Sequence, residues 1–494
     1  MKQKSLKKNA ILNALSSLLS VLFPLITFPY ITRIIKPEGL GMVNFAEQTV
    51  GLFAIIASLG FGIYAMREAA KLRDDKEKLS IFCSEILTLH VFTTIISYIC
   101  LFTCIFNISK YEAYRTLIIV TSPLILSNTI LIEWLYTALE EFEYMTIRQI
   151  ILRILSVILL FVLVKDSDDI LQYALISVIY SLSAGILNFI NCRKFINFRI
   201  EPVKNLKPHI KPIIILSGIS IASGLYNIID TNLLGFFSND YQIGIYAAAH
   251  KITRIITSIL VAVYSVIVPR LSYYSTNGKI TDEYTTMLSK GINLIEIICI
   301  PSTIGSIVLS APIITIMYGE NYLPSIQVMQ VLSLTVFFVL SGGVLGDTVF
   351  TPLRKDRYNL YPVLAGMITN ILFSCILIPK FGACGAALGT VIAEFFVSAT
   401  KLFLARKFIR GLKIYSELWK YILSSLIMGI VIWFITNIFS NNILKLISGF
   451  VSGITVYYIM LLILKSSFIK YINTTIMKSI KKIIFKIKNN GLTE

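Results

Sequence analysis

The feature that most constrains this chain is a repeated alternation of long apolar runs with short polar breaks, continuing from residue 10 to residue 464. A helix needs roughly 17–25 apolar residues to cross hydrocarbon, and only a helix or a closed barrel satisfies its own backbone there. Runs of that length fall near 10–35, 42–66, 82–106, 116–138, 144–164, 169–192, 212–236, 245–269, 290–318, 325–350, 358–379, 383–405, 418–440 and 443–464. The spacing predicts an all-α membrane protein of about fourteen transmembrane helices. Composition agrees, with 56% hydrophobic and 15% charged residues, where soluble domains carry about 25% charged. The net charge of +18 raises the question of nucleic acid. A nucleic-acid binder gathers its cations in a patch or arm, whereas these punctuate apolar spans, so no nucleic-acid partner is expected.

The run after MKQKSLKK, from Ala10 to Ile35, is too long for the core of a secretion signal and is read as the first span. The seven cysteines sit mostly in or beside apolar runs, without a CxxC pair or a nearby His. They are read as packing residues, with no metal and no cofactor expected. An even number of spans puts both termini on one side, together with the long loops 67–79, 193–211 and 406–419. Most Lys and Arg lie there. The opposite loops hold only Lys36, Lys110, Arg115, Lys165, Lys380 and Lys445. The positive-inside rule then places both termini in the cytoplasm, with the chain in a bacterial inner membrane. The outer loops are too short for a further domain, and no GxxxxGK[ST] loop supplies an ATP-driven motor.

Shifting the sequence by 203 residues lays Gly41 on Gly244, Ala46 on Ala249, Glu47 on His250, Gln48 on Lys251 and Arg67 on Arg270. A repeat of this form predicts two six-helix lobes related by an axis along the membrane normal. The N-lobe covers 1–192, the C-lobe 212–405, and a further helix pair 418–464. Residues 465–494 form a basic amphipathic tail, with Ile476, Ile480, Ile483, Ile484 and Ile487 on one face and lysines interspersed. The tail is read either as lying on the anionic inner leaflet or as a plain positive-inside anchor.

Six cations lie inside predicted spans: Arg33, Arg148, Arg153, Lys251, Arg254 and Lys401. A central charge there costs about 2.5–3.5 kcal/mol even on an insertion scale, so each needs a reason. In the eighth span His250, Lys251, Arg254, Thr257, Ser258 and Ser265 share an arc of about 120°. The second span gathers Asn44, Glu47, Gln48, Gly51 and Ser58 likewise. Two such faces suit a water-filled cavity, with a lobe-to-lobe ion pair from Glu47 to Lys251 or Arg254 as the plainer reading. Arg148 and Arg153 either join that cavity or snorkel to the interface. Arg33 follows Pro24 and Pro29, which predict a broken first helix. Asp230, flanked by Asn227, Thr231 and Asn232, is the leading candidate for proton or cation binding. Glu47, Glu133 and Asp347 stand behind it, and Glu296 and Glu394 are further acidic residues in spans. A cavity lined by Arg33, Arg148, Arg153, His250, Lys251 and Arg254 attracts an anion, and a lipid carrier would keep its tail in the bilayer.

The stretches FPYITRIIKPEGLGMVNFAEQ, GIYAMREAAKLRDDKEKLS, DTNLLGFFSNDYQIGIYAAAHKITR and KFGACGAALGTVIAEF resemble polysaccharide flippases of the multidrug/oligosaccharidyl-lipid/polysaccharide exporter superfamily. These are the O-antigen or capsule repeat-unit transporters often called Wzx or RfbX. The resemblance implies a two-lobed, V-shaped, MATE-like fold around a central cationic cavity. It also implies a cargo, an undecaprenyl-diphosphate-linked oligosaccharide moved from the cytoplasmic to the outer leaflet, with H⁺ or Na⁺ coupling and polysaccharide polymerase machinery as a partner. Arg33 in TRIIKPEG, Asp230 in DTNLLG and Lys251 with Arg254 in AAHKITR match family segments and take cavity-lining roles. His250 departs from the family, which shows a small or aromatic residue there. The competing readings are a multidrug/cation antiporter or lipid II flippase and, from another class, a membrane glycosyltransferase or O-antigen polymerase. Such enzymes need larger aqueous loops than this chain has.

Overall fold

A computed structural model describes residues 6–198, 203–265, 267–275, 280–410, 416–474 and 477; the side chains of 6–21, 203–204, 215–216, 219, 264–265, 347 and 356 fall outside that description. Among the described residues all regular structure is helical. The helices are α1 (6–35), α2 (37–58), α3 (Phe61–Leu72), α4 (Lys76–Asn107), α5 (Arg115–Thr121), α6 (Pro123–Leu131), α7 (Glu133–Ala138), α8 (Phe142–Leu163) and α9 (Ile170–Asn191). They continue as α10 (Val203–Phe237), α11 (Asp240–Ser265), α12 (Ile267–Tyr274), α13 (Asp282–Val308), α14 (Ser310–Tyr318), α15 (Ser325–Leu345), α16 (360–381) and α17 (383–409). The last are α18 (Leu418–Ile438), α19 (Asn442–Ile463) and a short α20 over 467–474. Among the described residues, eleven helical stretches are long and apolar enough to cross a membrane. Two of them contain a non-helical residue, Lys36 (φ 59°) and Gly382 (φ 53°), at which the chain breaks and starts a new helix.

The first break corrects an expectation. Pro24 and Pro29 do not break α1, which keeps helical dihedrals through both; the break comes at Lys36, just before Pro37. The proline ring disfavours helical backbone at the residue before it, and a proline at the start of the next helix loses no hydrogen bond. The second predicted span also ends early, at Ser58, where Leu59 and Gly60 turn left-handed and α3 begins. The fourth keeps helical dihedrals at Ser122, before Pro123, and is broken at the left-handed Ile132.

The chain divides into two compact units. One holds residues 1–251, 317–328 and 363–393, and the other 252–316, 329–362 and 394–494. In the first unit, small polar side chains tie helices through backbone carbonyls. Thr93 and Ser97 on α4 each donate at 2.6 Å to the Ala57 and Phe53 carbonyls of α2, and Asn232 on α10 donates at 3.2 Å to that of Gln48. Such bonds replace the hydrophobic drive that hydrocarbon cannot supply.

The tightest contact in this unit joins the starts of α2 and α11. A Cβ on Gly41 would lie 1.9 Å from the Asp240 carbonyl oxygen, and one on Gly244 would lie 1.9 Å from that of Pro37. Both positions therefore require glycine. The contact is reciprocal under the 203-residue offset found in the sequence, which carries 37 onto 240 and 41 onto 244.

In the second unit a buried apolar core joins α12, α13, α15 and α18. Pro301 inside α13 has no N–H to give the Ile297 carbonyl, and the Tyr457 hydroxyl of α19 donates to that oxygen instead at 2.9 Å. A chemical gap in one helix thus becomes the docking point of another.

Candidate functional site

Asp230 lies two turns before the C-terminal end of α10 and is buried. Four neutral donors from three other helices converge on its carboxylate. Thr390 of α17 donates to Oδ2 at 2.9 Å, Tyr246 of α11 at 3.1 Å and Asn370 of α16 at 3.3 Å, while Ser374 of α16 reaches Oδ1 at 3.2 Å. No ion pair forms at Asp230 among the described residues. The sequence neighbours singled out beside it do other work. Asn227 donates to the Ser223 carbonyl, and Asn232 faces α2. The cage comes from residues 16 to 160 positions away, a convergence no local pattern announces. The one available hint was the i, i+4 spacing of Asn370 and Ser374 on an otherwise apolar helix.

His250 stacks on Tyr246, with ring centroids 5.4 Å apart, and so lines the same helix face as the cage. One residue on, the Lys251 ammonium stands 5.5 Å from the centroid of the Phe28 ring of α1. It also acts electrostatically on Glu47, whose carboxylate accepts from the Ser177 hydroxyl of α9 at 2.5 Å. The first unit therefore brings Glu47, Lys251 and Ser177 together as one polar group, with the Phe28 ring beside the ammonium. Arg33 is exposed near the end of α1, and Arg254, which belongs to the second unit, is exposed as well.

Arg148 and Glu133 form a different kind of site. The Arg148 guanidinium, 3% exposed, bonds Glu133 at 2.8 Å and also donates to the Asn188 side chain. Asn188 in turn donates to the Leu131 carbonyl, next to the residue where α6 and α7 separate. The pair borders a pocket of about 250 Å³ lined by Ser127, Asn128, Tyr180 and Ser181. The Arg153 guanidinium stands 5.8 Å from the Phe23 ring centroid. The Asp347 side chain lies outside the described residues; its backbone belongs to a wide helical turn over Gly346–Phe350.

Two clusters had no counterpart in the sequence reading. His209 of α10 bonds Glu85 of α4 and Tyr64 of α3, each at 2.8 Å. Glu417, just before α18, collects donors from the start of α20. Among the described residues no group of three or more His, Cys, Asp or Glu could hold a metal ion. The Asp230 carboxylate and the hydroxyl oxygens around it are hard ligands of the kind that suits a proton or a hard monovalent cation, whereas Asn370 contributes an N–H.

Comparison with known proteins adds independent findings. Residues 6–275 match the family described as Polysaccharide biosynthesis protein. A protein of Escherichia coli (strain K12) named as an O-antigen transporter is 23% identical over 405 residues, covering 81% of this chain and 97% of its own length. The Staphylococcus aureus capsular polysaccharide biosynthesis protein CapF is 26% identical over 393 residues, covering 77% of this chain and 94% of its own. Among solved structures, the lipid II flippase MurJ in an inward closed conformation superposes with a TM-score of 0.78 at 19% identity, over 93% of this chain and all of that one. An inward-facing multidrug resistance MATE family transporter of the MOP superfamily follows at 0.65 and 15% identity, over 82% of this chain and 99% of its own. These likenesses show the fold.

Proposed function

Because this chain belongs to the Polysaccharide biosynthesis protein family, we propose that it is a flippase. Its proposed cargo is a saccharide repeat unit linked to undecaprenyl diphosphate, moved from the cytoplasmic to the outer leaflet of a bacterial inner membrane by alternating access. The observation that carries this reading is the cationic face of α11, where His250, Lys251 and Arg254 stand inside an apolar span. A diphosphate on a lipid is an anion that such a face attracts, while its polyprenyl tail stays in hydrocarbon. The names of the E. coli and S. aureus relatives, an O-antigen transporter and a capsule biosynthesis protein, support the saccharide.

A count of fourteen spans is part of this reading: eleven apolar stretches among the described residues, two of them split at Lys36 and Gly382, with α10 taken as a further span, support it. The reciprocal contact of Gly41 and Gly244 supports an N-lobe over 1–192 and a C-lobe over 212–405 as a parallel repeat, followed by α18, α19 and a cytoplasmic tail. A headgroup of about −2 charge moving outward runs down an inside-negative potential worth about 2.3 kcal/mol per charge per 100 mV. H⁺ or Na⁺ held at the Asp230 cage returns the empty carrier.

The test is Lys251→Ala combined with Arg254→Ala, expressed in a strain lacking its own flippase. Carrier-linked oligosaccharide is expected to accumulate on the cytoplasmic face and surface polysaccharide to fall at least about tenfold, as loss of two charge-assisted contacts implies. Normal surface polysaccharide from the double variant would overturn the cationic-cavity reading. The fold likeness to MurJ supports lipid II as a second cargo, separated from the first by whether the chain complements loss of peptidoglycan precursor export.

A further inference from the structure

We propose that the junction of α18, α19 and α20 in the second unit is a docking surface for the anionic headgroups of a phospholipid leaflet. At its centre Glu417 takes six donors: the Ser466 hydroxyl at 2.6 Å, the Ser467 N–H at 2.8 Å, the Ser467 hydroxyl, the Phe468 N–H at 3.3 Å, the Tyr421 hydroxyl at 3.3 Å and the Lys420 ammonium at 3.2 Å. Burial alone would push this carboxyl up, but those hydrogen bonds bring it down to about 2. The carboxylate is thus a fixed anion capping the N-terminus of α20 across 50 residues of sequence, where the helix dipole favours negative charge.

The cap fixes where α20 starts and which face it turns outward. Lys465 turns left-handed (φ 49°) directly after α19, and Lys420 also donates to its carbonyl at 3.2 Å. Beyond that corner, Ile469 and, partly buried, Phe468 and Ile472 pack into the core of the second unit beside Leu271 and Leu288. The opposite face is left exposed with Lys470 and Tyr471, next to the exposed Lys465. Lys290 stands 4.6 Å over the Tyr471 ring, and Lys420 stands 5.9 Å from that of Trp419, itself 55% exposed.

Lysines interleaved with exposed Trp and Tyr, at the point where two spans end, have the composition of a membrane interface. The Lys420 ammonium offsets the charge of Glu417, the other five donors being neutral, so the positive surplus of the junction rests on Lys290, Lys465 and Lys470. The sequence beyond continues the pattern with Lys478, Lys481, Lys482, Lys486 and Lys488, which lie outside the described residues. Charge complementarity therefore selects a leaflet rich in anionic phospholipid as the occupant.

The experiment is hydrogen exchange of the full chain in nanodiscs of phosphatidylcholine alone and with phosphatidylglycerol added. Amides over 465–474 are expected to exchange about tenfold more slowly in the anionic discs, and the difference to shrink in high salt. Lys465→Gln with Lys470→Gln should abolish the lipid difference while leaving exchange in neutral discs unchanged, since neither side chain holds the cap. Glu417→Gln should speed exchange over 466–474 in both lipids. Equal exchange of the unaltered chain in the two lipids, or a lipid difference that survives the double lysine change, overturns the proposal.

Discussion

Two buried ionic sites in the first unit solve the same problem in opposite ways. At Arg148 the charge is met by another charge, Glu133, and by the amide of Asn188. At Asp230 the charge is met, among the described residues, by neutral donors, Thr390, Ser374, Asn370 and Tyr246. A closed ion pair has no further appetite for an ion, whereas a carboxylate held by dipoles alone keeps most of its attraction for a proton or cation. The difference fits the first site to holding α6 and α7 in place and is the ground for the ion-coupling role proposed for the second.

Removing one partner should separate the two sites most sharply. Arg148→Ala leaves Glu133 and Asn188 without their donor, and a loss of about 2–3 kcal/mol is expected. This is below the figure for a fully buried pair because Glu133 is 39% exposed. Thermal unfolding in detergent or nanodiscs measures it, and a variant as stable as the parent would show the pair to be incidental. A smaller effect is expected at the other site. Asp230→Asn keeps the shape of the cage and should cost about 1 kcal/mol. It should nevertheless remove the dependence of flipping in vesicles on pH or Na⁺. Unchanged ion dependence would discard Asp230 as the coupling group. Replacing both members of the pair with neutral residues, Arg148→Met with Glu133→Gln, should cost less than about 1 kcal/mol, since no charge is then stranded. Should the double variant prove as damaged as Arg148→Ala, the pocket beside it has a use of its own.

The smallest effect is local and comes from a third carboxylate, Glu417, which combines both solutions. Its folded value of about 2 lies below the usual 4.5, so its contribution is fully present above about pH 4.5 and is lost as pH falls through about 2. Exchange of amides 466–474 should accelerate across that window ahead of global unfolding.

Much of this architecture was legible in the order of residues. Apolar runs locate the spans because hydrocarbon tolerates little else. Lys36 before Pro37 and Gly382 mark breaks by backbone chemistry alone. The 203-residue offset was visible in a handful of identities, and the reciprocal approach of Gly41 and Gly244 supplies a physical reason for two of them. Where the sequence misled, at Pro24 and Pro29, a local rule met a helix held by its neighbours. Tyr30, between Pro29 and the break, anchors α1 to the Val164 carbonyl at 2.9 Å.

Among the site residues, sequence singled out Asp230, Glu133, Arg148, Glu47 and Lys251, because a charge in an apolar run stands out whatever surrounds it. It did not say which are satisfied by a counter-charge and which by dipoles. Pairing depends on side chains from helices far apart in the chain, and Thr, Ser, Asn and Tyr within apolar runs carry no mark of what they face. Span positions, charge bias and the presence of costly charges were thus determined by sequence alone, through the one-dimensional cost of polar groups in hydrocarbon. Tertiary structure decided that Arg148 is paired with Glu133, that neutral donors converge on Asp230, and that Glu417 caps a helix 50 residues away. Each outcome turns on distances of about 3 Å between groups that only packing brings together.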